Sequence, residues 1–239
     1  MTTTALPTSP TRVTHDPTRN HARAAGAFYL ITFAASIPAL LMIKSAVGPD
    51  LTVATGHDSG LLAAGFLDFV NALAGIGSAV ALYPILKRQN QAMALGLVMS
   101  RMTEAAIIMA GVVSLLAVVT LNQEVAGADP AISQSLVAVR DWTFLFGPGF
   151  MASVNAVLLG TLMYKSGLVP RIIPVMGLVG APLLFAANSA TLFGHNEQTS
   201  AISMAATLPI AAWELSVGTW MLVKGFKPSP VTAGLTKVN

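Results

Sequence analysis

Seven polar side chains stand inside stretches that are otherwise almost wholly apolar: Asp68, Asn71, Arg101, Glu104, Asn155, Asn188 and Glu214. A charge at the centre of a bilayer costs about 2.5 kcal/mol or more, so such residues face a bundle interior, a partner or a wet cavity. Arg101 and Glu104, three apart, share a helix face with Ser100 beside them, and Asp68 and Asn71 repeat that spacing. At about 1.5 Å per residue, Arg101 lies about 14 Å and Glu104 about 18 Å into their span. Glu214, running the other way, falls about 20 Å from the opposite face, level with Arg101, and Asp68 about 10 Å from it, nearer Glu104. The pattern predicts an Arg101–Glu214 ion pair at mid-depth, with Asp68 and Glu104 forming an acidic layer above. Three carboxylates against one guanidinium leave at least one that must hold a proton or meet water. A protonatable carboxyl at that depth is what proton-coupled carriers use. The same residues would also serve as structural glue between three helices, and both readings stay open.

Other chemistries fail on inventory. The chain has no cysteine, which excludes disulfides, thiolate metal sites and a cysteine nucleophile. His15, His21, His57 and His195 fall in the expected tail or outer loops, so no span offers a histidine to ligate haem or metal or to activate a serine. No lysine sits mid-span to hold a Schiff base, and no glycine-rich phosphate loop occurs. The expectation is no catalytic residue, no metal and no cofactor. The net charge of +3 does not mark nucleic-acid binding, because the basic residues lie at helix ends rather than on one face. The glycines read as notches for helix packing. Gly147-Pro148-Gly149 is more pointed, since a proline between glycines should kink its helix and release backbone carbonyls.

These residues need elements to hold them, and the hydropathy supplies six. A spanning helix takes about 20 mostly apolar residues. The runs are Ala24 to Ile43, Leu61 to Leu86, Ala92 to Leu121, Trp142 to Tyr164, Ile172 to Gly194 and Ala201 to Val223. Hydrocarbon cannot satisfy a free backbone, so the fold class is all-α, a polytopic membrane bundle of six transmembrane helices. Charged residues make up only 10% of the chain, well below the quarter usual in soluble domains. Alternate loops segregate the cations. One side receives Arg12, Arg19, Arg23, Lys87, Arg88, Lys165, Arg171, Lys224, Lys227 and Lys237, and the other only Lys44 and Arg140. By the positive-inside rule both termini are cytoplasmic, in a cell (plasma) membrane. The domain reading is a disordered tail over 1–22, a transmembrane domain over 23–227 and a cytoplasmic tail over 228–239. The outer connections 45–60 and 122–141 read as long loops, and 87–91 and 165–171 as tight turns joining helical hairpins.

Arg101-Met102-Thr103-Glu104, the turn Tyr164-Lys165-Ser166-Gly167-Leu168-Val169-Pro170-Arg171, and Trp213-Glu214 followed by Lys224-Gly225-Phe226-Lys227 resemble domain of unknown function 4386. The likeness runs from about Arg23 to Lys227, and the Ser-Gly-Leu-Val-Pro-Arg turn is its most specific piece. It implies a bacterial multi-pass membrane protein and carries no activity, substrate or cofactor. Two functions remain: a small binding or transport bundle built on Asp68, Asn71, Arg101, Glu104, Asn155 and Glu214, or a non-transporting membrane partner or assembly factor with a structural polar core. The partners expected are the lipid bilayer, a small solute or proton, and a second copy of the chain. A wet cavity reaching Glu104 would favour the first reading, and a dry, fully paired core the second.

Overall fold

A computed structural model describes residues 17–54, 56–124, 129–198 and 200–235. It is all-helical apart from one isolated bridge, between Val47 and Val53. The helices are α1 (Pro17–Ala46), α2 (Asp58–Leu86), α3 (Gln91–Glu124), α4 (Pro130–Phe144), α5 (Ala152–Ser166), α6 (Ile172–Leu192) and α7 (Ala201–Val223), and a π-helical stretch, Leu145–Met151, joins α4 to α5. With α4 to α5 running on as one span, six helices are long and apolar enough to cross a membrane.

Local chemistry sets the ends of these helices. The Asp129 side chain accepts from the Ala131 N–H at 2.9 Å and Pro130 opens the first turn, so α4 starts there. Ser200 caps α7 in the same way, accepting from the Ser203 N–H. At Gly167 the backbone turns left-handed (φ 67°), which ends α5 and lets the tight turn reverse into α6.

The helices pack as a closed ring: α1 on α2, α2 on α3, α3 on α4 and α5, α5 on α6, α6 on α7, and α7 back on α1. The last contact closes the ring and depends on two small residues. A Cβ on Gly26 of α1 would stand 2.5 Å from the Leu222 N and 2.6 Å from the Gly218 O of α7. One on Gly218 would stand 2.8 Å from the Tyr29 Cβ. The two backbones therefore touch directly, as small residues allow in lipid. On the other side of α7, buried Trp213 lies against Gly177 of α6. The next residue, Glu214, turns about 100° around the axis and faces the interior. Outward positions carry large apolar side chains such as Ile37, Leu41, Phe66, Val113, Val179 and Leu208, more than a third exposed, as a lipid-facing surface requires.

Several sequence-based boundaries are corrected. The segment 122–141, expected as a loop, is helical on both sides of residues 125–128, which lie outside the described residues. Pro130–Phe144 lengthens the fourth span at its N-terminal end, so Arg140 lies within a helix and is buried. Residues 17–22, expected in the disordered tail, form the start of α1, where His21 Nδ1 lies 3.1 Å from the Ala81 O of α2. The rest of that tail, with His15, falls outside the described residues. The C-terminal segment packs back on the basic turns as far as it is described. The Lys227 N–H donates to the Leu168 O at 2.8 Å, Ser229 Oγ to the Ser166 O at 2.5 Å, and Arg88 Nη2 to the Ala233 O at 3.2 Å. At the opposite end Asp50 accepts from the Thr52 hydroxyl at 2.7 Å, and that bond holds its carboxyl below the usual range.

The glycine contact between α1 and α7 gives a first prediction. Gly218→Val should lower the midpoint of thermal unfolding by several degrees, in line with about 1–3 kcal/mol of overpacking. Gly60→Ala, where an added Cβ meets nothing within 4 Å, should leave it unchanged. Melting curves on purified protein in one detergent make the comparison.

Candidate functional site

The ring encloses two charged clusters. In the first, Arg101 of α3 is 5% exposed and makes three charge-assisted contacts. Its Nη1 donates to Glu104 Oε2 at 2.9 Å, and its Nη2 donates to the Tyr29 hydroxyl at 3.0 Å and to Glu214 Oε1 at 3.1 Å. The guanidinium carbon lies 5.2 Å from the centre of the Tyr29 ring, within cation–π range. Asn155 of α5 is fully buried and donates through Nδ2 to Glu104 Oε2 at 2.7 Å. One guanidinium thus gathers α1, α3 and α7 directly and α5 through Glu104. Each partner is held by a feature already described: Tyr29 by the Gly218 notch, Glu214 by Trp213 against α6, and Glu104 by the turn of helix it shares with Arg101.

The second cluster ties α2 to α4. Arg140 Nη2 lies 3.9 Å from Asp68 Oδ2, and Nη1 3.5 Å from Asp141 Oδ1. Its guanidinium carbon stands 4.9 Å from the Phe144 ring centre. This changes the expected charge count, because Asp68 has its own arginine and does not join the Glu104 layer. Each arginine thus faces two carboxylates, Glu104 and Glu214 at Arg101 and Asp68 and Asp141 at Arg140.

Both clusters open on a cavity of about 260 Å³. Asp68, Asn71, Arg101, Glu104, Arg140 and Glu214 supply its polar wall, and Phe33, Ile37, Leu40, Phe144, Leu184 and Ile210 most of the apolar one. Pro148 also lines it, from the π-helical stretch. Proline has no N–H, so a carbonyl one turn back loses its helical donor, and the expected interruption at Gly147-Pro148-Gly149 appears as a wider helical turn beside the cavity. Ile37 is 53% exposed although it lines the cavity, and Thr207 across from it on α7 is exposed as well. The cavity therefore reaches the bundle surface between the C-terminal half of α1 and the N-terminal half of α7.

The structure brings Arg101, Glu104, Glu214 and Asn155 together, places Asn71 in the cavity wall and moves Asp68 to Arg140. Asn188 stands apart, buried beside Gly149, where an added Cβ would lie 3.1 Å from its Nδ2. Tyr29 and Arg140 are the site residues that sequence reasoning missed. Asp129-Pro130 is a helix-start signal that would have put Arg140 inside a span, whereas a single tyrosine hydroxyl in an apolar run carries no comparable mark. Among the described residues no group of three or more His, Cys, Asp or Glu could hold a metal ion.

A six-helix apolar bundle with a charged interior defines a multi-pass membrane protein of helical class. The chain belongs to the family described as Domain of unknown function (DUF4386), whose model matches residues 24–225. No curated protein matches the chain. No solved structure matches it either.

A second prediction concerns Arg101. Arg101→Ala strands buried Glu104 and partly buried Glu214 and should cost about 3–5 kcal/mol, whereas Arg101→Ala combined with Glu104→Gln and Glu214→Gln should recover a large part of that loss. Tyr29→Phe removes one hydrogen bond to a charged group and should cost about 1.5–3 kcal/mol. Unfolding of the reconstituted variants in a single denaturant series tests all three.

Proposed function

We propose that this chain is a plasma-membrane protein that binds a small solute in the interhelical cavity and couples its passage to a proton carried by the cavity's surplus carboxylate. The observation that carries the reading is the cavity itself, a space of about 260 Å³ that reaches Arg101, Glu104 and Glu214. A core built only to hold helices together gains nothing by leaving such a space beside its charges, since empty volume forfeits packing energy. The volume lies just under the range of about 300–1,000 Å³ typical of ligand pockets, which limits the solute to a small one.

The orientation rests on loop charge. With Arg140 buried among the helices, the basic side keeps its ten Lys and Arg residues and the other side keeps only Lys44. Positive-inside bias of that size supports cytoplasmic termini. The cavity would then open in the outer half of the bilayer. The reading as an assembly factor draws on a different observation: Arg101 and Arg140 both have carboxylate partners, as a purely structural core would require.

Two measurements test the proposal. Reporter fusions after Lys87, Lys165 and Lys227 should read cytoplasmic, and fusions at Asp58, Asp129 and Glu197 external. A cytoplasmic signal from Asp129 would overturn the orientation. In proteoliposomes holding a pH-sensitive dye, some small solutes should drive proton movement that Glu214→Gln abolishes while the variant stays folded. No proton movement with any solute would leave the cluster with the structural role.

A further inference from the structure

We propose that the solute is a small organic monocation, an amine or quaternary ammonium with an apolar body, and that it exchanges with one proton at Glu104 and Glu214. This deepens the solute-binding reading and rests on it. The charged groups on the cavity wall are Asp68, Glu104 and Glu214 against Arg101 and Arg140, three minus two, so one negative charge lacks a counterpart when all are ionised. Asp141 adds a carboxylate on the far side of Arg140, at 3.5 Å, and Tyr29 adds a hydroxyl on Arg101, at 3.0 Å. From α5 and α6, Ala152 and Leu184 reach the wall, and neither titrates.

Only the Arg101 cluster turns both of its carboxylates to the cavity, so the unbalanced charge of the wall is assigned to it. Arg101 serves Glu104 and Glu214 at once, and Glu214 uses only Oε1 in that contact. A dehydrated negative charge demands either a proton or a cation, and only one of the two at a time. Anions are disfavoured because each guanidinium already faces two carboxylates. A metal cation is disfavoured because it needs about six or more oxygen ligands in the case of calcium, or three or more N, S or O side chains in the case of transition metals. No such group exists among the described residues. The rest of the wall suits the body of an organic cation. Phe33, Leu40 and Ile210 offer apolar surface, and an aromatic ring beside an ammonium adds cation–π attraction. Behind the wall Asn155 is fully buried and holds Glu104 in place through Nδ2.

The probe is phenyltrimethylammonium, whose charge does not titrate, so any pH effect belongs to the protein. It is compared with benzenesulfonate and with neutral tert-butylbenzene of the same shape, on the full chain in phosphatidylcholine nanodiscs, by equilibrium binding. The cation should bind saturably and the anion should not. Affinity for the cation should fall as pH drops, approaching about tenfold per pH unit once the surplus carboxyl is protonated in the free protein, because one proton competes with one cation. Glu214→Gln should weaken binding at least tenfold, and Ala211→Trp, which fills the cavity, should abolish it. Binding of the neutral or anionic probe with equal affinity, or a cation affinity independent of pH in the unaltered chain, would overturn the cation assignment and leave the cavity a binding site. Binding of none of the three would overturn both readings. The pH series uses the unaltered chain, so it decides the matter even where Glu214→Gln fails to fold.

Discussion

A guanidinium in hydrocarbon must be paired, and the structure is organised around that requirement at Arg101. The residue lies in the middle of α3 and is almost wholly buried, so solvent cannot discharge it. Its partners arrive from helices that are far apart in sequence: Tyr29 from α1 and Glu214 from α7, with Glu104 from its own face. Meeting all three demands that α1 and α7 lie close together, which is why their contact is made through glycine. Burying such a group stabilises little in net terms, because desolvation offsets most of the attraction. What it enforces is arrangement, since a bundle that misplaces α7 strands Glu214 and takes one of the two carboxylates from Arg101.

The second arginine works differently. Arg140 reaches Asp68 only at 3.9 Å and shares its charge with half-exposed Asp141. Pairing this loose suits a group beside an open cavity, where water or a solute can enter the contact. The π-helical stretch follows within a few residues and brings Pro148 to the same wall. One tight cluster holds the helices, and one looser cluster faces the same space.

How much of this could be read in the sequence follows from the strength of each signal. Six apolar runs of spanning length stand out because a membrane imposes a length of about 20 residues on every one of them. The meeting of Arg101 with Glu214 was legible too, since depth along a helix is simple arithmetic and charges at equal depth seek each other. Residues 130–141 were misread for a physical reason: Ser133, Gln134, Ser135, Arg140 and Asp141 dilute the hydropathy of a helix that buries only Val137 and Arg140. That misreading put Arg140 in a loop and left Asp68 without its partner. Tyr29 was missed because one hydroxyl in Phe28-Tyr29-Leu30 has no periodicity to betray it. The cavity has no sequence signature at all, since it is the space that side chains from all six spans fail to fill.

The central claim is that the Arg101 cluster holds α1 against α7 and so closes the ring. The chain has no cysteine, so two can be introduced without removing others. Spin labels at exposed Leu41 of α1 and Leu208 of α7 would report the distance across the opening by pulsed electron resonance in lipid. The account predicts one narrow distance distribution in the otherwise unaltered chain, and a broad distribution shifted to longer distances when Arg101→Ala is added. The same narrow distribution in both proteins would contradict it.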